Sequence, residues 1–260
     1  MVWVHNLEPV LLQLGPLQIR WYGLMYVLGF LFTYYYMKRR IKNKHVNMTV
    51  EQLDSLMTWC TLAMILGARL AEILLYQPSY YFANPWKMLA IWEGGLSFHG
   101  ALVAMLLAGW LWCRKNKKKF LALADECIVP LALANSFGRI GNFINGELPG
   151  TITTLPWGIK FPGVEGFRHP SQVYEAAYDL VIFLVLYATR NKAKMWKQGT
   201  QLALFLIMYA VFRFLTEFVR EPEVFVGSLT MGQFLNIFML LAGLALLFWP
   251  RKPISPEINN

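Results

Sequence analysis

Seven apolar runs set the terms on which this chain folds. Residues 16–37, 53–76, 95–113, 120–137, 171–189, 200–220 and 229–249 each reach or approach the ~20 residues a helix needs to cross a bilayer core. Lipid tails neither donate nor accept hydrogen bonds, so a spanning backbone must satisfy itself, as a helix or as a closed barrel. Runs this long and this continuously apolar read as helices. Only 15% of the residues are charged, against about 25% in an ordinary soluble domain. The 260 residues are therefore expected to form an all-α integral membrane protein with a single transmembrane domain over 1–260.

A net charge of +9 raises the question of nucleic acid, and its distribution answers it. Lys38, Arg39, Arg40, Lys42 and Lys44 form one cluster, and Arg114, Lys115, Lys117, Lys118 and Lys119 a second. Arg190, Lys192, Lys194 and Lys197 form a third, and Arg251 with Lys252 closes the chain. Each lies beside an apolar run, as the positive-inside rule expects of cytoplasmic segments. The charge is topology, with no nucleic acid as partner. The fourth run is the weakest, because Asp125, Glu126 and Pro130 interrupt it, but parity requires it. Runs three and five both end in basic loops, so something between 119 and 170 must cross outward. About seven transmembrane helices result, with the N-terminus outside and the C-terminus in the cytoplasm.

This topology puts residues 138–170 outside, or re-entering the outer leaflet. The segment opens with "GRIGNFINGELPG" at 138–150, and its glycines and prolines argue against regular helix. A small irregular outward-facing head is expected there, since non-helical backbone at membrane depth survives only when buried in protein or lining a cavity. Polar groups from other segments gather at the same level. Tyr22 lies just inside run one, Arg69 and Glu72 in the outward half of run two, and His99 near the outer end of run three. Arg139 caps run four, while Arg213, Glu217 and Arg220 form one stripe at i, i+4 and i+7 on run six. An intramembrane charge costs roughly 2.5–3.5 kcal/mol on insertion scales, so such groups face the interior and are functional candidates. Arg69 with Glu72 reads as a structural ion pair. Arg213 with Glu217 reads equally as an intrahelical bridge or as a site, and His99 as a structural donor or as a base. Glycine-rich turns expose successive amides that bind anions, and arginine adds bidentate oxygen recognition. Together they point to a phosphate, which in a membrane means a phospholipid headgroup.

Cys60, Cys113 and Cys127 show no metal spacing and no disulfide framework, so no metal is expected.

The motifs resemble those of the prolipoprotein diacylglyceryl transferase family. Beside "GRIGNFINGELPG" stand "IRWYGLMYVLGF" at 19–30, "IWEGGLSFHG" at 91–100, "PWGIKFPG" at 156–163, "RHPSQVYEA" at 168–176, "FRFLTEFVREPE" at 212–223 and "LTMGQ" at 229–233, in the family's order. The resemblance implies transfer of the diacylglyceryl group of phosphatidylglycerol to the lipobox cysteine of a preprolipoprotein signal peptide. That reaction forms a thioether and releases glycerol phosphate at the outer face of the bacterial cytoplasmic membrane. It implies a multi-pass monomer needing no cofactor. By resemblance His99, Arg139 and Arg213 are catalytic, and Tyr22, Asn142, Glu147, Gly150 and Glu217 match important positions, with Arg220 beside them as a substrate-binding candidate. The nucleophile is the substrate's own thiol, which leaves this chain's cysteines without a chemical role. The alternatives are a membrane protein that binds or transports phospholipid without chemistry, and a related transferase using another acceptor. Two departures stand out: Ala101 replaces a second glycine after His99–Gly100, and "TITTL" at 151–155 replaces a bulkier, more charged stretch.

Overall fold

Helix starts are written into the chain as capping residues. Thr49 and Gln52 form a reciprocal capping box that opens α2 (Val50–Ala71), and Thr230 with Gln233 forms another that opens α8 (Met231–Phe248). Ser97 accepts a hydrogen bond from the Gly100 amide and starts α4 (Phe98–Lys115). The computed structural model describes residues 3–15, 17–192, 197–222 and 224–249. Lys194, Arg251 and Lys252 of the basic clusters lie outside them, as does Glu223 of the "FRFLTEFVREPE" motif and the end of the chain. The other long helices are α1 (Trp21–Lys42), α5 (Phe120–Asn145), α6 (Ser171–Thr189) and α7 (Thr200–Thr216), with the short α3 at Pro78–Ala83.

Among the described residues, five stretches are long and apolar enough to cross a membrane: Val50–Tyr76, Phe120–Asn145, Ser171–Thr189, Thr200–Val219 and Met231–Phe248. The first runs through α2 into a π-helical turn at Glu72–Tyr76, and the fourth through α7 into a 3-10 turn at Glu217–Val219. The protein is thus a mainly helical integral membrane protein. α1 and α4 are about 33 and 27 Å long at 1.5 Å per residue, but the tyrosines of α1 and the basic ends of both lower their apolar character.

Two boundaries differ from the sequence expectation. Run one begins as strand rather than helix: β2 (Val10–Leu14) and β3 (Leu17–Arg20) form an antiparallel hairpin, and α1 starts only at Trp21. Leu12 faces Ile19 and Gln13 faces Gln18 across the hairpin, a period-two alternation, and Gly15 at φ +59° makes the turn. A second difference is "GRIGNFIN", which is helical to Asn145, so Arg139 lies within α5 instead of capping it. Gly141 sits there because α1 comes so close that a Cβ would meet Tyr22 Cδ2 at 2.9 Å. The expected irregular head therefore begins at Gly146. α5 passes unbroken through Pro130, which lies inside the fourth run.

The chain divides into two units, residues 1–37 with 124–260 and residues 38–123. In the first, Val129, Ala132, Tyr178, Ile182 and Leu186 form a buried core between α5 and α6, with Phe205, Tyr209 and Phe212 of α7 against it. Asp125, one of the acids that weaken run four, is structural. Its carboxylate accepts from the Gly199 amide at 2.6 Å and the Leu202 amide at 2.9 Å, capping α7. Short pairings tie the segment after α5 in place, with β1 (Trp3–Val4) parallel to β4 (Ile159–Lys160). His5 adds a 2.7 Å hydrogen bond to the Phe143 carbonyl and stacks on Phe161. β5 (Phe225–Val226) and β6 (Leu229–Thr230) form a hairpin that delivers the chain into α8.

In the second unit α2 and α4 pack antiparallel through small residues. A Cβ on Gly67 would lie 2.1 Å from Ala104 Cβ, and one on Gly100 would lie 2.3 Å from Ala71 Cβ and 2.4 Å from the Gly67 carbonyl. Small residues at such spacing let helix backbones touch where no hydrophobic effect drives them together. Farther along, Trp112 Nε1 donates to Ser55 Oγ at 3.1 Å.

Candidate active site

Three arginines and two carboxylates form a continuous ion-pair chain in the first unit. Arg139 on α5 sits with Nε 2.8 Å from Glu175 Oε2, and Arg220, just past α7, sits with Nη1 2.7 Å from Glu175 Oε1. The Arg220 Nε is 3.9 Å from Glu217 Oε2, which in turn accepts from Arg213 Nη1 at 2.9 Å. Glu175 is wholly buried, while Arg139, Arg213 and Arg220 keep 21%, 14% and 15% of their side chains exposed. Each arginine thus keeps part of its side chain accessible while a carboxylate balances its charge.

Each side chain is held by local geometry. Glu217 fits because residue 232 is glycine: a Cβ there would lie 2.0 Å from Glu217 Oε1. Asn135, one turn before Arg139 on α5, donates at 2.8 Å to Asp179, one turn after Glu175 on α6. Two rungs therefore join these helices, one charged and one carrying a single acid and amide. Tyr22 hydroxyl lies 3.0 Å from Tyr26 hydroxyl and within electrostatic reach of both Glu147 and Arg139.

The segment after α5 is built from side chain to backbone contacts. Glu147 is clasped by Asn142 Nδ2 at 3.0 Å and Asn145 Nδ2 at 3.1 Å, both reaching forward from the last turns of α5. Gln172 donates to the Glu147 carbonyl and Ser171 to the Leu148 carbonyl, so the N-terminus of α6 grips the turn. The expected amide nest is not formed at Gly146 and Glu147: their N–H groups bond the Phe143 and Asn142 carbonyls and close the end of α5. Gly150 bridges to Arg220, and its amide bonds the His169 carbonyl at 2.8 Å. A Cβ at Gly150 would lie 2.2 Å from the Val219 carbonyl, so glycine here lets the segment lie against the strand-like stretch that carries Arg220. Arg168 fastens the same join, with Nη1 at 2.6 Å from Glu221 and 3.2 Å from the Gly150 carbonyl.

The first unit thus holds Tyr22, Arg139, Asn142, Glu147, Gly150, Arg213, Glu217 and Arg220. His99, Arg69 and Glu72 belong to the second unit. There His99 is the second residue of α4 and is exposed, beside Phe98. Arg69 does not pair with Glu72 as expected. Its guanidinium donates instead to the carbonyls of Lys87, Met88, Ala90, Gly94 and Gly95 and stacks on Tyr81, while Glu72 accepts from Gln77 at 2.9 Å. Arginine alone carries enough forked donors to gather that many carbonyls. The loop before α4 is therefore hung on Arg69.

Glu175 is the residue that sequence reasoning overlooked. The signal was present, because Glu175 and Asp179 place two carboxylates at i, i+4 inside an apolar run, where each demands a partner.

Comparison with known proteins shows the family. The profile of the prolipoprotein diacylglyceryl transferase family matches residues 9–249. The phosphatidylglycerol–prolipoprotein diacylglyceryl transferase of Desulfotalea psychrophila is 42% identical over 255 residues, covering 94% of this chain and 93% of its own. Its namesakes from Bordetella parapertussis and Nitratidesulfovibrio vulgaris are 43% and 44% identical, covering 96% and 93% of this chain and 98% and 94% of theirs. With a match over most of its length and relatives this similar, the chain belongs to the prolipoprotein diacylglyceryl transferase family.

Proposed function

We propose that this protein transfers the diacylglyceryl group of phosphatidylglycerol to the lipobox cysteine of a prolipoprotein, in the bacterial cytoplasmic membrane. The cysteine sulfur attacks the glycerol carbon of the diacylglyceryl group that bears the phosphate. A carbon–sulfur bond forms and the carbon–oxygen bond breaks, its electron pair staying on the phosphate oxygen. The thiol proton goes to a base, and the products are a thioether and glycerol phosphate. A free thiol has a pKa near 8.5, so only a small share is thiolate at neutral pH. His99, on the ground of the family resemblance, takes that proton or positions the headgroup.

The observation that carries the reading is the ion-pair chain of Arg139, Arg213 and Arg220 on two glutamates, in a membrane protein of this family. Negative charge grows on the departing phosphate oxygen, and pre-arranged guanidinium donors stabilise it more than they stabilise the lipid at rest. Tyr22, Asn142, Glu147, Gly150, Glu217 and Arg220 are read as headgroup-binding or as supports for that surface. The reading includes seven membrane crossings, α1 and α4 among them. The N-terminus faces outward, the C-terminus lies in the cytoplasm, and residues 138–170 form an outward-facing part of one transmembrane domain in a monomeric enzyme.

The test is direct. Purified protein in detergent is incubated with phosphatidylglycerol and a lipobox peptide, and the peptide is weighed by mass spectrometry. A diacylglyceryl adduct, absent from a Cys→Ser peptide, is the expected result. Lipid binding without an adduct would turn the reading to a binder or to another acceptor.

A further inference from the structure

Glu175 poses a problem that headgroup binding alone does not solve. A carboxylate repels phosphate, yet this one is buried between two of the three arginines, with one oxygen on Arg139 and the other on Arg220. The side chains in ion-pair contact are three arginines and two glutamates, a net charge of +1. Asp179 stands outside these ion-pair contacts: it accepts from Asn135 and lies one turn along α6 from Glu175, within electrostatic reach of Arg139 and Glu175. Glu147 is likewise held by asparagines, and Arg168 is taken by Glu221.

That net charge distinguishes substrate from product. The lipid phosphodiester carries one negative charge. The glycerol phosphate released is a phosphomonoester, whose second ionisation near pH 6 gives it about −1.5 to −2 at neutral pH. A cluster at +1 attracts both anions only moderately. One further positive charge would strengthen the hold on the near-dianion about twice as much as on the singly charged lipid, so at +2 the product would be retained.

We propose that Glu175 is the charge-setting residue of this site, holding the arginine cluster at +1 so that phosphatidylglycerol binds and glycerol phosphate leaves. The proposal rests on the headgroup reading above. It makes Glu175 a positioning residue that acts through Arg139 and Arg220 and touches no substrate atom. With one oxygen in ion-pair contact with each, it also holds those two arginines beside each other.

The experiment compares wild type, Glu175→Gln and Glu175→Asp. Each is followed in two ways: inhibition of transfer by added glycerol phosphate, and protection against thermal unfolding by glycerol phosphate, which needs no turnover. Glutamine removes one negative charge, and Coulomb attraction for a near-dianion then strengthens glycerol phosphate binding by about tenfold or more. The KM for phosphatidylglycerol shifts less and kcat falls. Aspartate keeps the charge and keeps product binding near wild type. If Glu175→Gln does not give monodisperse protein, Glu217→Gln raises the cluster to the same net charge and carries the same expectation. Unchanged or weaker glycerol phosphate binding in the folded glutamine variants would overturn the proposal. Arg139→Ala separates this outcome from failure of the headgroup reading. Should that variant use phosphatidylglycerol as wild type does, the headgroup reading itself fails. Should it lose activity while the glutamine variants bind product normally, only the charge-setting role falls.

Discussion

In the second unit, Arg69 gives its guanidinium to five backbone carbonyls and an aromatic face; in the first, Arg139, Arg213 and Arg220 give theirs to two carboxylates. Both solutions remove the penalty of an arginine at membrane depth, but they leave different remainders. Arg69 is 6% exposed and its donors are consumed, so it has nothing left for a ligand. The three clustered arginines hold a net positive charge and each keeps a partly exposed side. The difference teaches that an intramembrane arginine is a candidate site only when its partners leave charge and surface over. Breaking each arrangement should therefore fail in a different way.

The largest effect is expected at Arg139→Ala. Removing a donor aimed at developing charge lowers kcat by about 100- to 1000-fold. The fold should survive, because Glu175 keeps Arg220 as a partner. Transfer assayed by peptide mass, beside elution as a single species from size exclusion, checks both halves. Wild-type activity would place the phosphate elsewhere.

At Arg69 the expectation reverses, with stability failing first. Arg69→Ala takes its donors from five carbonyls, of which that of Lys87 keeps the Ala90 amide; unsatisfied buried acceptors cost about 1–3 kcal/mol each before water reaches them, so a loss of about 3 kcal/mol or more is expected. The midpoint of thermal unfolding in detergent should fall well below that of Arg139→Ala. An Arg69→Ala protein as stable as wild type would remove its role as the hook of the 84–96 loop.

These two arginines also mark what the sequence could and could not reveal. Apolar runs and basic clusters located the helices, since bilayer thickness and the cost of unpaired backbone leave few choices. The resemblance located most of the arginine cluster. Of its pairing, Arg213 with Glu217 was legible at i, i+4; the rest stayed hidden, because Glu175 is distant in sequence from Arg139 and from Arg220, and no local spacing links them. Arg69 was assigned to Glu72 because i, i+3 neighbours were the only partners a sequence displays; carbonyls from an irregular loop carry no residue signature. For the same reason β3 merged into run one and "GRIGNFIN" read as loop. Gly141 looked like a helix breaker, whereas its cause is the closeness of α1.

A third effect lies between those two kinds. Gly232→Ala places a methyl group where Glu217 Oε1 now sits, 2.0 Å away, so Glu217 must swing and Arg213 loses its 2.9 Å partner. Misplacing a positioned group by about 1 Å reduces turnover by up to roughly 100-fold. Activity should fall by about 10- to 100-fold with little change in unfolding temperature. If stability drops and activity per folded molecule does not, Glu217 is a packing residue and the functional cluster does not include it.

The smallest effects separate two adjacent positions on α4 and bear on Ala101, where this chain departs from its family's pattern. The α2–α4 crossing is made by Gly67, Ala71, Gly100 and Ala104, so the glycine that matters is Gly100. Position 101 lies about 100° around the helix from it, given 3.6 residues per turn. Gly100→Ala forces a methyl group to within 2.4 Å of the Gly67 carbonyl, and overpacking of this kind costs about 1–3 kcal/mol. Ala101→Gly introduces the second glycine that the motif resemblance leads one to expect but relieves no contact of that crossing. It should lower stability by about 1 kcal/mol or less, the ordinary penalty for glycine within a helix, and leave transfer within about twofold of wild type. A clear gain in activity from Ala101→Gly would mean that the second glycine gives His99 a backbone freedom that this chain has lost.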